Sequence, residues 1–148
     1  MKKRDIIIIL ILTALIIIAL ITTLQKNPEI ENIYLSNNKD SDFSDPAQND
    51  DYSFTCNGPD IYLIIKVKNI TINDELNVKW EKTKNSITEL IQENTIKPEE
   101  SGSGKIVVAL IKRNGTYANG NYTVKVYLNG ENKISKKFSI QASGNGKF

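Results

Sequence analysis

Histidine is absent from the 148 residues, and cysteine occurs once, as Cys56. Without histidine, imidazole acid–base chemistry, Cys/His nucleophile pairs and the usual His/Cys zinc sites are excluded, and most common hydrolase mechanisms go with them. A single cysteine cannot close an intrachain disulfide, so an exported domain has to be stable through its apolar core alone. The length leaves room for one ordinary domain and one core. No cofactor, metal set or catalytic constellation is legible.

The formal net charge of +2 conceals a strong asymmetry. Residues 1–26 carry Lys2, Lys3, Arg4 and Lys26 against Asp5. Residues 27–60 carry Glu29, Glu31, Asp40, Asp42, Asp45, Asp50, Asp51 and Asp60 against Lys39 alone, and residues 61–148 are again basic. Such a division into basic, acidic and basic blocks marks segments with different surroundings.

From Ile6 to Leu24 there is no charge, and only Thr13, Thr22 and Thr23 interrupt the apolar run. As a helix this run would be about 28 Å long, close to the roughly 30 Å of a bilayer's hydrocarbon. It is longer than the apolar core of a cleaved signal peptide and ends Thr22-Thr23-Leu24-Gln25-Lys26, without a small-residue cleavage site. Cys56 is too far downstream to serve as a lipoprotein cysteine, and the run shows no amphipathic face for burial in a soluble core. The expectation is an uncleaved single-pass anchor over residues 1–26. The positive charges that precede the helix predict a cytoplasmic N-terminus and an extracellular C-terminal domain at the cell membrane.

Residues 27–51 are polar and acidic, with little to bury, and read as a flexible linker. As coil, residues 27–60 would span roughly 30–35 Å. Asp40, Asp42, Ser44 and Asp51 echo a calcium loop, but Asp45 stands where that turn needs glycine and no closing glutamate follows, so a solvated spacer is the better reading.

Residues 52–148 alternate in short segments separated by turn signals, the pattern of an antiparallel sandwich. Ile61, Leu63, Ile65 and Val67 face one way and Tyr62, Ile64, Lys66 and Lys68 the other; Leu76, Val78 and Trp80 repeat the period. Tyr122, Val124, Val126 and Leu128 lead into Asn129-Gly130, with Ile134, Phe138 and Ile140 beyond, which predicts a hairpin with a type I′ turn. Ile106 to Ile111, apolar on both faces, predicts a central strand. Residues 86–96 fit either a helix, capped by Ser86 and Glu89 with Ile87, Leu90 and Ile91 as its stripe, or a strand.

The order of Ile61-Tyr62-Leu63, Trp80, Ser101-Gly102-Ser103-Gly104, Gly120-Asn121-Tyr122-Thr123-Val124, Tyr127-Leu128-Asn129-Gly130 and Phe138-Ser139-Ile140 resembles the immunoglobulin-like modules near the C-termini of many prokaryotic surface proteins. The resemblance covers the C-terminal part of the chain. It implies an all-β, immunoglobulin-like antiparallel β-sandwich, a core role for Trp80 and a strand at Leu90–Ile96. The chain departs from antibody-type domains in lacking their disulfide, and such folds host unrelated functions.

Candidate binding features each have a plain structural alternative. Trp80 could stack on a ligand, but its alternation with Leu76 and Val78 points to the core. Lys66, Lys68, Lys79, Lys125, Lys133, Lys136 and Lys137 could form a face for an anionic envelope polymer, or simply solubilise outward positions. Tyr62, Tyr117 and Tyr127 could form a contact patch or pack across strands. Cys56 could pair with another chain or be buried. Asn69, Asn114 and Asn121 begin glycosylation acceptor triplets. Nucleic acid is a poor fit to an outward domain whose only arginine is Arg113.

The functional expectation is a non-catalytic, membrane-anchored domain that binds or positions an envelope polymer or a protein partner. The alternative is a structural subunit that assembles through β-edge pairing. A third reading, an enzyme working with Glu81, Glu89 or Glu93 alone, lacks any spacing that builds a carboxylate pair.

Overall fold

A computed structural model describes residues 3–24, 26–41 and 52–143, with helix side chains described as far as residue 19. One helix, α1 (Lys3–Leu24), precedes eight strands: β1 (Glu29–Ser36), β2 (Tyr52–Thr55), β3 (Ile61–Ile70), β4 (Leu76–Lys84), β5 (Ile87–Ile96), β6 (Gly102–Leu110), β7 (Gly120–Leu128) and β8 (Glu131–Gln141). The protein is therefore mostly β. Among the described residues no helix is long and apolar enough to cross a membrane.

The strands form two sheets, ordered β1-β3-β6 and β2-β8-β7-β4-β5. Alternating side chains from both turn into one shared cluster that includes Ile33, Leu35, Leu63 and Ile65 from the first sheet and Val78, Trp80, Val124, Val126 and Phe138 from the second. Period-two alternation is sufficient reason for this two-layer arrangement, because each strand has one apolar face to remove from water. The sheets are antiparallel except at the edge, where β2 runs parallel to β8 from Tyr52↔Phe138 to Thr55↔Gln141.

Two expectations are corrected. Residues 27–51 were expected to be linker, yet Glu29–Ser36 is a full strand paired with β3 from Glu29↔Lys68 to Ser36↔Tyr62. A bulge between Ile30 and Asn32 breaks the alternation, so Ile30 and Ile33 both point inward and the period is hidden in the sequence. Only residues 25–28 separate the helix from the sheet, a reach of at most about 14 Å, so the long spacer is not there. Ser44, Asp51 and the rest of residues 42–51 lie outside the described residues.

The second correction concerns β6. It pairs with β3 alone among the described residues and is an edge; the central strand of its sheet is β3, where Ile61, Leu63, Ile64 and Ile65 are all buried. Of the two options for residues 86–96, the strand forms, as the resemblance implied for Leu90–Ile96. Ile87–Ile96 pairs with β4 through a turn at Asn85-Ser86, both at positive φ, because a strand supplies β4's second partner whereas a helix would leave that edge unpaired.

The β7–β8 hairpin forms as expected, with φ of 52° at Asn129 and 82° at Gly130, the signature of a type I′ turn. Its asparagine also clasps the β3–β4 turn. Asn129 Nδ2 donates to Asp74 Oδ1 at 2.8 Å, Glu75 N donates to Asn129 Oδ1 at 2.9 Å, and Asp74 Oδ2 accepts from Thr71 N and Thr71 Oγ1 at 2.7 and 2.9 Å. Burial of Asp74 favours its neutral form, but these donors outweigh it together and hold the carboxyl below its ordinary 3.8. A carboxylate depressed in the folded state stabilises above the unfolded value and ceases to do so as pH falls through the folded one. Acidification below pH 3.8 should therefore weaken the wild type more than Asp74→Asn, as read by urea midpoints; equal acid sensitivity would remove Asp74 as a contributor.

Candidate functional site

Several lysines on the outward faces are held by carboxylates of neighbouring strands. On the β1-β3-β6 sheet, Lys66 Nζ lies 3.1 Å and Lys68 Nζ 3.8 Å from the Glu31 carboxylate. On the five-stranded sheet, Lys125 Nζ lies 2.8 Å from Glu81 and Lys79 Nζ 3.7 Å from Glu93. The hydrogen bond to Glu81 pushes the Lys125 ammonium above its ordinary 10.5. Lys133 pairs with Glu131 at the hairpin end of β8. Lys66 and Lys68 thus lie on one sheet and the other five on the second, where Lys136 stands opposite the core residue Val124, and five of the seven sit against carboxylates within their own sheets. The pairs arise because register places opposite signs across neighbouring strands, as in Lys79↔Glu93.

The tyrosines do not form a patch. Tyr62 lies half-buried on the three-stranded sheet near Asp60, and Tyr127 on the other sheet, beneath Lys79 Nζ at 5.2 Å. Tyr117 is buried, its hydroxyl accepting from Ile61 N at 3.0 Å and donating to Leu110 O at 3.1 Å, so that it bridges the last rung between β3 and β6. Trp80 is fully buried edge-to-face with Phe138, at 6.0 Å between ring centres. Cys56 is half-buried against the core.

Of the acceptor triplets, Asn69 is half-buried with its amide on Asn27 O, and the Thr71 hydroxyl of the same triplet is held by Asp74. Asn121 opens β7 on the outward face, and Asn114 is exposed in a tight turn. Among the described residues no cluster of Asp, Glu and Cys side chains has the make-up of a metal site.

Among the described residues, two of the open depressions exceed 500 Å³. One, of about 530 Å³, lies over Ser53, Thr83, Asn121, Thr123, Lys137 and Ser139 on the five-stranded sheet. The other, of about 510 Å³, lies between the sheets where β5 ends and β6 begins, with Val67, Ile70, Ile96 and Ile106 as its apolar floor.

Sequence reasoning missed the clearest feature. Outside α1, the exposed large apolar side chains among the described residues are Ile72, Ile87, Leu90, Val107 and Ile111. All lie on β5, on β6 or beside them: Ile111 is 66% and Ile87 72% exposed, and Ile72 N donates to Ser101 Oγ in the β5–β6 connection. Gln92 spans the two strands there. Its Nε2 donates to Ala109 O and its Oε1 accepts from Ile111 N, both at 2.8 Å, so one side-chain amide acts as a peptide unit on the outer side of β6. Arg113 adds a bond to Ile91 O at 2.9 Å. These contacts join residues distant in sequence, and the only local hint was an apolar residue at an outward strand position.

Fold and surface together define a class, a two-sheet β domain behind an N-terminal helix, with one apolar flank. No protein-family model matches the chain, and no curated protein does. Among solved structures it is similar to the Pseudomonas fluorescens alkylpurine DNA glycosylase AlkC bound to DNA containing an abasic site analog, with 13% identity and a TM-score of 0.46. That match covers 78% of this chain and 30% of the glycosylase chain.

Proposed function

We propose that the chain is a non-catalytic, single-pass membrane protein whose immunoglobulin-like domain stands on the outer side of the cell membrane and binds or positions a protein partner. The exposed apolar side chains on and beside β5 and β6 carry this reading, since Ile87, Leu90 and Ile111 stand in water there while Lys66, Lys79 and Lys125 are held by carboxylates, which suits a protein surface better than an anionic polymer. The anchor is supported by the uncharged run Ile6–Leu24 behind Lys2, Lys3 and Arg4, and by large apolar side chains exposed along α1 from Ile6 to Ile18.

The immunoglobulin-like reading is supported by strand order. β1-β3-β6 faces β8-β7-β4 as strands A-B-E face G-F-C in that fold, with a buried tryptophan on β4. The Tyr122 hydroxyl at the start of β7 bonds back to Ala118 O at 2.6 Å, as a tyrosine corner does.

The edges favour a second reading, a subunit that assembles by strand pairing. β2 has four residues, β1 carries a bulge with Glu29 and Glu31, and β5 is bulged opposite Trp80–Glu81; all three are protected edges. β6 from Lys105 to Leu110 pairs without a register shift and has one charge, and Gln92 occupies its outer side only at Ala109 and, just beyond it, Ile111, which leaves the Lys105–Val107 stretch for pairing. Intact cells treated with external protease and, separately, with an amine crosslinker address both readings. Loss of the β domain with retention of the N-terminal helix, and a crosslink to a second polypeptide, are expected. A fully protected domain, or one released intact into the medium, would remove the anchored topology. A crosslink to a second copy selects assembly, and one to a different protein selects partner binding.

A further inference from the structure

The β domain contains several Asn-Gly pairs that are equivalent in sequence, and the structure makes them unequal. In such a pair the glycine nitrogen can attack the asparagine side-chain carbonyl carbon. A C–N bond forms, ammonia leaves, and water then opens the resulting succinimide to aspartate or isoaspartate. The attack needs a side-chain amide free to turn, a glycine N–H not engaged elsewhere, and a backbone able to leave its native conformation.

We infer that Asn114, in the turn Arg113–Thr116 beyond β6, is a site of spontaneous succinimide formation, while Asn129 is protected from the same reaction. Asn114 is exposed at φ 54°, with no hydrogen bond to its amide among the described residues. Gly115 follows at φ 79° with open space around it. The turn is closed by a single isolated bridge, Arg113 N to Thr116 O at 3.1 Å and Thr116 N to Arg113 O at 3.2 Å. Two exposed bonds closing a two-residue turn open at low cost, and opening frees the backbone for attack.

Asn129 occupies the same kind of turn in the opposite condition. Its Nδ2 is held by Asp74 and its Oδ1 by Glu75 N, and Asn129 N donates to Glu75 O at 2.9 Å. The flanking strands are nine and eleven residues long. The other pairs are also restrained. Gly58 N donates to Thr55 O at 3.0 Å, and Gly120 is already the first residue of β7, paired with Ile140. Asn145-Gly146 lies outside the described residues.

The product would place a negative charge beside Arg113, and isoaspartate would lengthen the backbone by one carbon and break the Arg113–Thr116 bridge. The position is at the end of the β domain remote from the start of β1, next to the exposed Ile111. Conversion there would alter the apolar flank without touching the core.

The test is peptide mapping by mass spectrometry of the full chain in detergent, aged at mildly alkaline pH with and without urea. Folded, the Asn114 peptide should convert at least about tenfold faster than the Asn129 peptide, since releasing two hydrogen bonds near 1 kcal/mol each precedes attack at Asn129. In urea the two rates should converge, and Asp74→Ala should raise the Asn129 rate in the folded protein. Equal folded rates, faster conversion at Asn129, or a ratio that survives in urea would overturn the inference.

Discussion

Replacing Trp80 with alanine should cost the β domain about 3–5 kcal/mol, the usual loss for truncating a large buried aromatic side chain. The indole is fully buried, packs edge-to-face on Phe138 and lies opposite Val124 across β4 and β7. A domain of ordinary stability has roughly 5–15 kcal/mol in total, so the variant should be near its limit, with a melting point lowered by about 15–30 °C. The indole N–H has no hydrogen-bond partner among the described residues. Trp80→Phe should accordingly recover more than half of the loss, because only volume is given up. Thermal melts of the full chain in detergent, followed by circular dichroism, measure both variants. Trp80 is the one tryptophan of the chain, so its fluorescence reports burial directly. A loss under about 1 kcal/mol for the alanine variant, with red-shifted wild-type emission, would mean that the two sheets do not close over it.

The second large effect is expected at Tyr117→Phe, which removes one oxygen. That oxygen stands between Ile61 N and Leu110 O, so its loss leaves a buried donor and a buried acceptor without partners, at about 1–3 kcal/mol. Burial also pushes the phenol above its ordinary 10.0, with a bond to the Ile61 backbone and the nearby Lys112 working against the shift. The unfolded phenol ionises first, so wild-type stability is fully present below pH 10.0 and is lost as pH rises through the raised value. The phenylalanine variant should begin weaker and lose less over that alkaline range; the remainder comes from Tyr122, whose phenol is raised by burial too. Urea midpoints at neutral pH read the bridge, and those above pH 10 read the burial of the phenol. An unchanged neutral midpoint would disprove the bridging role, and parallel pH curves would disprove the burial of the phenol.

Alternation in the sequence was enough to place β3, β4, β7 and β8, because each keeps a period of two on its core face: Ile61, Leu63, Ile65; Leu76, Val78, Trp80; Tyr122, Val124, Val126; Phe138, Ile140. It failed at β1, where a bulge brings Ile30 and Ile33 to the same side and the acidic residues between them imitate a linker. At β6 a run apolar on both faces suggested a centre, but the strand pairs with β3 alone among the described residues and leaves Val107 exposed. The lysines were visible one by one, whereas their neutralisation depends on which strand lies alongside, as Lys125 and Glu81 show.

What the sequence determined by itself is local: strand periods, the Asn129-Gly130 hairpin, the want of imidazole and thiol pairs, and an N-terminal stretch of uncharged side chains. Each follows from the conformational preferences or chemistry of residues close together in the chain. The tertiary structure decided everything that depends on pairing across the chain. It made a strand of Glu29–Ser36, used Tyr117 and Gln92 to complete backbone rungs, set lysines against carboxylates, and left Leu90, Val107 and Ile111 exposed on or beside two edge strands. The reason is that register and burial are set by which segments meet, and that depends on the free energy of the whole core rather than on any one segment.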